Sequence, residues 1–206
     1  MTISAYEALL YAGAIAVLFL TPGPVWVALI ARALSGGFNS AWPLAFGVAI
    51  GDVLWPIIAV LGVSYLVAQF EDAMLIMRYV ACVIFLFMGF VLIKNADKTL
   101  GSDSRLTRPG MLAGFLAGLA VIIGNPKAIL FYMGVLPGFF DLTQITIWDV
   151  ILICAISFVI PFLGNLCLGV FVGRIRVFLS SKAGVRRLNI SSGCLLILVG
   201  LVIPFT

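Results

Sequence analysis

Long apolar runs alternate with short polar gaps along the whole 206-residue chain. A helix that crosses a bilayer needs ~20 mostly apolar residues. Six runs meet that length, at 5–33, 40–67, 74–93, 110–136, 147–172 and 188–205. The gaps carry the turn and charge signals: Ser35-Gly36-Gly37, Gln69-Phe70-Glu71-Asp72, Lys94 to Pro109, Pro137-Gly138, and Arg174 to Arg187. The pattern predicts an all-α polytopic membrane protein with one transmembrane transporter domain over 1–206. The longest gap, 94–109, is a linker between two halves of three helices, 1–93 and 110–206. No basic stretch precedes residues 5–20 and no small-x-small site follows them, so they read as an uncleaved first helix.

Two runs, 5–33 and 110–136, exceed what a straight span needs. Each contains a proline motif, Thr21-Pro22-Gly23-Pro24 in the first and Asn125-Pro126-Lys127 in the fourth. Proline lacks an N–H and clashes with the preceding turn, so both helices are expected to break there. Helices two and five carry Pro56 and Pro161 at a similar offset, which suggests an inverted repeat. Orientation follows from charge. Ten of the twelve basic residues fall in gaps one, three and five, leaving only Arg78 and Lys127. The positive-inside rule places those gaps in the cytoplasm. Both termini are then external, and three helices per half make the halves inverted.

Composition agrees. Hydrophobic residues make up 64% and charged residues 10%, against ~45–50% and ~25% in soluble domains. The net charge is +4, and most basic residues sit in the short gaps between apolar runs, which argues against a nucleic-acid partner and for a lipid surface. The absence of histidine excludes Ser–His catalysis and histidine metal sites, so neither cofactor nor metal is expected. Cys82, Cys154, Cys167 and Cys194 lie in apolar runs without a C-x-x-C pair and read as small buried hydrophobes. Gly110, Gly114 and Gly118, Gly47 with Gly51, and Gly169 with Gly173 repeat at four-residue spacing. Such faces serve packing within a protomer or a homodimer. Trp42, Tyr65 and Trp148, near helix ends, read as interfacial anchors.

Few residues can carry chemistry. Asp52 lies about twelve residues into helix two, or ~18 Å of rise into a ~30 Å core. A carboxylate at that depth is costly and needs a partner or a purpose. It either exchanges a proton or binds a substrate ammonium, or it is a structural acid. Lys127 either neutralises a substrate carboxylate, pairs with Asp52, or snorkels outward. The breaks expose amides suited to an anion and carbonyls suited to a cation. Asn165 and Pro161 in helix five are further polar candidates.

Leu20-Thr21-Pro22-Gly23-Pro24, Gly47 to Asp52, Gly124 to Tyr132 and Leu136-Pro137-Gly138-Phe139-Phe140, in this order and spacing, resemble the LysE/RhtB family of bacterial amino-acid exporters. The resemblance covers nearly the whole chain. It implies export of an amino acid or derivative across the plasma membrane, driven by the proton motive force. By matching positions it points to Thr21, Pro22, Gly23, Pro24, Gly51, Asp52, Asn125, Pro126 and Lys127. The chain departs from it at Trp26, where relatives often carry a small polar residue such as asparagine. If that position lines the pocket, substrate size or polarity differs. Divalent-cation efflux would need several oxygen ligands, and a thiol–disulfide carrier would need cysteines in helices one and four. Neither set is present.

Overall fold

A computed structural model describes residues 1–69, 73–97, 110–142, 144–172 and 182–202, and every element among them is helical. The helices are α1 (Ala5–Leu20), α2 (Pro24–Gln69), α3 (Ala73–Lys94), α4 (Met111–Ile123), α5 (Pro126–Gly134), α6 (Leu136–Phe139), α7 (Ile147–Val170) and α8 (Lys182–Val202). The linker beyond Asp97, residues 70–72 of gap two, most of the 174–187 gap, Gly173 and the C-terminal end lie outside the described residues, as do the side chains of Tyr65 and Arg78.

Local chemistry sets the helix starts. Ser4 and Glu7 form a reciprocal capping box on α1, and Thr146 and Asp149 form one on α7. Asp149 also accepts from the backbone N–H of Thr2 at 3.0 Å and of Ile3 at 3.2 Å, which pins the N-terminal residues onto the start of α7. Gap one is shorter than the sequence suggests. Helical geometry runs through it except at Gly36 and Gly37, and Gly37 at φ +70° adopts a conformation that favours glycine. The Pro137-Gly138 gap is corrected as well. These residues form α6 and are buried, and the next two, Phe139 and Phe140, pack edge-on against Tyr11. The polar stretch that follows, around Asp141 to Thr146, is the actual connection.

Two described helices are long and apolar enough to cross a membrane, Pro24–Gly62 and Ile147–Val170. Met111–Ile123 and Lys127–Gly134, bent by 58°, qualify together as a third. α2 packs mainly on α4 and α7, and α3 on α8. Glycine makes the α2–α4 approach close. A Cβ on Gly47 would collide with the Phe115 carbonyl, and one on Gly118 with that of Leu44. Gly51 meets Ile122, Gly114 meets the Arg32 guanidinium, and Gly169 meets Ala41 and Phe38. At these five glycines the neighbouring atoms belong to the same protomer.

Polarity is inverted relative to a water-soluble protein. Leu9, Leu61, Phe87, Leu112, Ile151 and Leu198 are exposed, whereas Arg32, Asp52, Asn125, Asp149, Ser157 and Asn165 are buried. Lipid accounts for this arrangement, since it solvates hydrocarbon and not charge. The cysteines follow the same rule and correct the sequence reading. Cys167 and Cys194 are exposed, and Cys82 and Cys154 are only partly buried.

Candidate functional site

The ends of α1 and α4 and the starts of α2 and α5 meet beside the middle of α2 and α7. α1 stops at Leu20 and α2 starts at Pro24. A helix end leaves its last four carbonyls without helical donors, and three of these find partners here. Thr21 donates its N–H (3.0 Å) and its Oγ1 (2.8 Å) to the Val17 carbonyl. Lys127 Nζ donates to Leu18 at 2.8 Å, and Trp26 Nε1 to Phe19 at 2.8 Å. Lys127 Nζ also reaches the Thr21 carbonyl at 2.6 Å. A cation at a helix C-terminus also suits the helix dipole.

The second break is built differently. Gly124 caps α4, and Asn125 is the N-cap of α5, with Oδ1 accepting from the Lys127 N–H at 3.2 Å. Pro126 follows at the first turn, where it needs no N–H. The first turn of α5 therefore offers fewer free amides to an anion than the sequence suggests. The donor group that faces the site is the Lys127 side chain.

Asp52 is 3% exposed and accepts from the Tyr132 hydroxyl at 3.2 Å. It does not lie at ion-pair distance from Lys127. An exposed ion pair joins Arg186 and Asp97, at 3.5 Å. Ser157 shares a 2.7 Å hydrogen bond with Tyr11. Tyr11 and Tyr132 were missed by sequence reasoning. The available signal was that a tyrosine inside a span must find a partner for its hydroxyl. Ser157 belongs to another signal: the buried stripe of α7 runs Asp149, Ile153, Ser157, Pro161, Asn165, one turn apart.

A central cavity of about 40 Å³, on the order of a few water molecules, brings together Gly23, Trp26, Asp52, Asn125, Lys127, Pro161 and Asn165. Ile15, Leu18, Phe19, Val48 and Ile122 supply its apolar wall. Thr21 and Pro22 instead line a neighbouring apolar cavity of about 270 Å³ with Phe87, Met88 and Asn95, and Lys127 borders both. Pro24 is exposed, and Gly51 packs against Ile122. Trp26 both bonds to the end of α1 and packs its ring on Phe19, at 5.9 Å between centroids.

Comparison with known proteins places this geometry in context. The model of the LysE type translocator family matches residues 16–204. An uncharacterized membrane protein of Synechocystis sp. is 28% identical over 188 residues, covering 91% of this chain and 90% of its own. Leucine efflux proteins of Salmonella typhimurium and Salmonella typhi are 28% identical over 151 residues, covering 68% of this chain and 71% of theirs. No solved structure matches.

Proposed function

The chain belongs to the LysE type translocator family, and from that premise we propose that it is a secondary exporter of an amino acid with an apolar side chain, working by proton antiport across the bacterial plasma membrane. One observation carries the reading. A carboxylate, Asp52, and an ammonium, Lys127, face one cavity without an ion pair between them. Each is held by neutral partners. A zwitterion supplies the complementary pair of charges. Its ammonium lies at Asp52 and its carboxylate at Lys127, and its side chain rests on the apolar wall. The leucine efflux relatives agree with that wall in polarity.

The architecture we propose is six spans in two inverted three-helix halves, with both termini outside. Residue spacing supports it: Pro22 and Pro126 are 104 residues apart, and Pro56 and Pro161 are 105 apart. Packing supports it too. Exchanging the halves turns the contact of α1 with α7 into that of α4 with α2, and leaves α2–α7 and α3–α8 as self-matching pairs. Pro56 and Pro161 remove the helical donors of the Asp52 and Ser157 carbonyls, four residues earlier in each helix.

Transport then proceeds by rearrangement at the breaks. The central cavity is contracted, and the side cavity shares Lys127 with it. Movement of Thr21 to Gly23 joins the two. Asp52 takes a proton from outside as it releases the substrate ammonium, and gives the proton up inside. The test is proton-gradient-driven leucine flux in proteoliposomes, normalised to folded protein. Asp52→Asn should insert and fold yet lose uphill flux, and Asp52→Glu should keep part of it with a shifted pH profile. Wild-type uphill flux from the Asn variant overturns the coupling role.

A further inference from the structure

The buried polar groups around the central cavity are bonded, with one exception. Thr21, Asp52, Asn125 and Ser157 each have a partner. Asn165 is 1% exposed and lines the cavity, yet neither its Nδ2 nor its Oδ1 has a hydrogen-bond partner. Asn189 has one unmet atom, but its Nδ2 donates to the Ala96 carbonyl at 3.0 Å, away from the cavity. A buried amide with both atoms unmet destabilises the fold, and a leucine of similar size would remove the cost. Its place on the same α7 stripe as Ser157 and Pro161 turns it inward.

We infer that Asn165 is a substrate-contacting residue whose amide hydrogen-bonds the main-chain carboxylate and ammonium of the bound amino acid. This rests on the proposed amino-acid export. Donor supply is the reason. Lysine has three N–H groups, and Lys127 directs two hydrogen bonds at the Leu18 and Thr21 carbonyls. One remains for a carboxylate that accepts up to about four hydrogen bonds. In a low-dielectric cavity such an anion is poorly satisfied by a single donor. Asn165 Nδ2 supplies further donors without adding charge, and Oδ1 accepts from the ammonium beside Asp52. Val48 and Ile122 offer only hydrocarbon, Trp26 Nε1 is bonded to the Phe19 carbonyl, and Asn125 is engaged through Oδ1 in capping α5. The amide therefore reads the part common to all amino acids, and the substrate side chain is judged by shape.

The experiment compares wild type with Asn165→Leu, with Asn165→Ala as the smaller alternative should leucine fail to fold. Two quantities are measured: the thermal midpoint in detergent, and the half-saturating concentrations for L-leucine and L-threonine in proteoliposomes. The expected result is a midpoint equal to or above wild type, with half-saturation raised at least tenfold for both substrates. A stable variant with unchanged half-saturation overturns the inference and leaves amino-acid export standing. A loss confined to threonine also overturns it, because the amide would then read the side chain. If wild type itself moves neither amino acid, the export reading fails, and this inference with it.

Discussion

Lys127 donates to two carbonyls at the end of α1 and borders both cavities, so one side chain serves the fold and the site together. Replacing it separates those roles. Lys127→Met keeps the aliphatic length but strands the Leu18 and Thr21 carbonyls, and an unmet buried polar group costs about 1–3 kcal/mol. The variant is expected to melt below wild type in detergent and to lose leucine transport. Lys127→Arg, which keeps donors and charge, should recover part of the stability. A Met variant with the wild-type midpoint but no transport would show that the lysine serves substrate alone. Asp52 is proposed to exchange its proton for the substrate ammonium, and Asn165 to supply the neutral donors that Lys127 cannot. Of these three, Asp52 and Lys127 were evident in the sequence as charges inside apolar runs. Asn165 was visible only as a polar residue on helix five, since its lack of a partner depends on what surrounds it.

At the scale of elements, the α2–α4 crossing depends on glycine. Gly47 and Gly118 each face the backbone of the opposite helix, so a methyl group at either would push the two helices apart. Overpacking of this kind costs about 1–3 kcal/mol. Gly118→Ala should lower the thermal midpoint accordingly and widen the wall of the cavity formed by Val48 and Ile122. Gly62, on the same α2, has open space where a Cβ would go. Gly62→Ala should leave stability unchanged or raise it by about 0.5–1 kcal/mol through the helix preference of alanine. Equal effects from the two substitutions would deny that close approach, rather than helix propensity, is why glycine stands at 118.

For the whole molecule, the charge asymmetry of the chain supports the proposed orientation. With the basic gaps in the cytoplasm, an enzyme reporter fused at Ser104 or Lys182 should read cytoplasmic, and one after Thr206 external. A cytoplasmic C-terminus would refute the six-span count or its orientation, and with it the inverted halves. Thr2 and Ile3, bonded to Asp149, join the first residues of the chain to the start of α7. Arg32 makes a second tie, between α2 and the start of α4. Its Nε donates to the Ser40 carbonyl and its Nη2 to that of Gly110, both at 2.6 Å. Segments 1–93 and 110–206 are thus tied to each other by both sets of bonds.

The sequence was enough to read the solvent, the helical class and the positions of the charges. Hydropathy and charge are properties of single residues and short runs, and lipid imposes them on every segment independently. It also marked Pro22 and Pro126 as irregular, because proline acts on its own backbone wherever it lies. Tertiary structure alone decided what the irregular ends bind. Trp26 and Lys127 reach the α1 carbonyls from α2 and α5. Tyr132 reaches Asp52 across 80 residues. The side-chain pairs that satisfy a buried group are set by packing between distant segments, and no local pattern encodes them. For the same reason Pro137-Gly138, which reads as a turn, lies buried in α6, and Asn165 faces a cavity with its amide unmet.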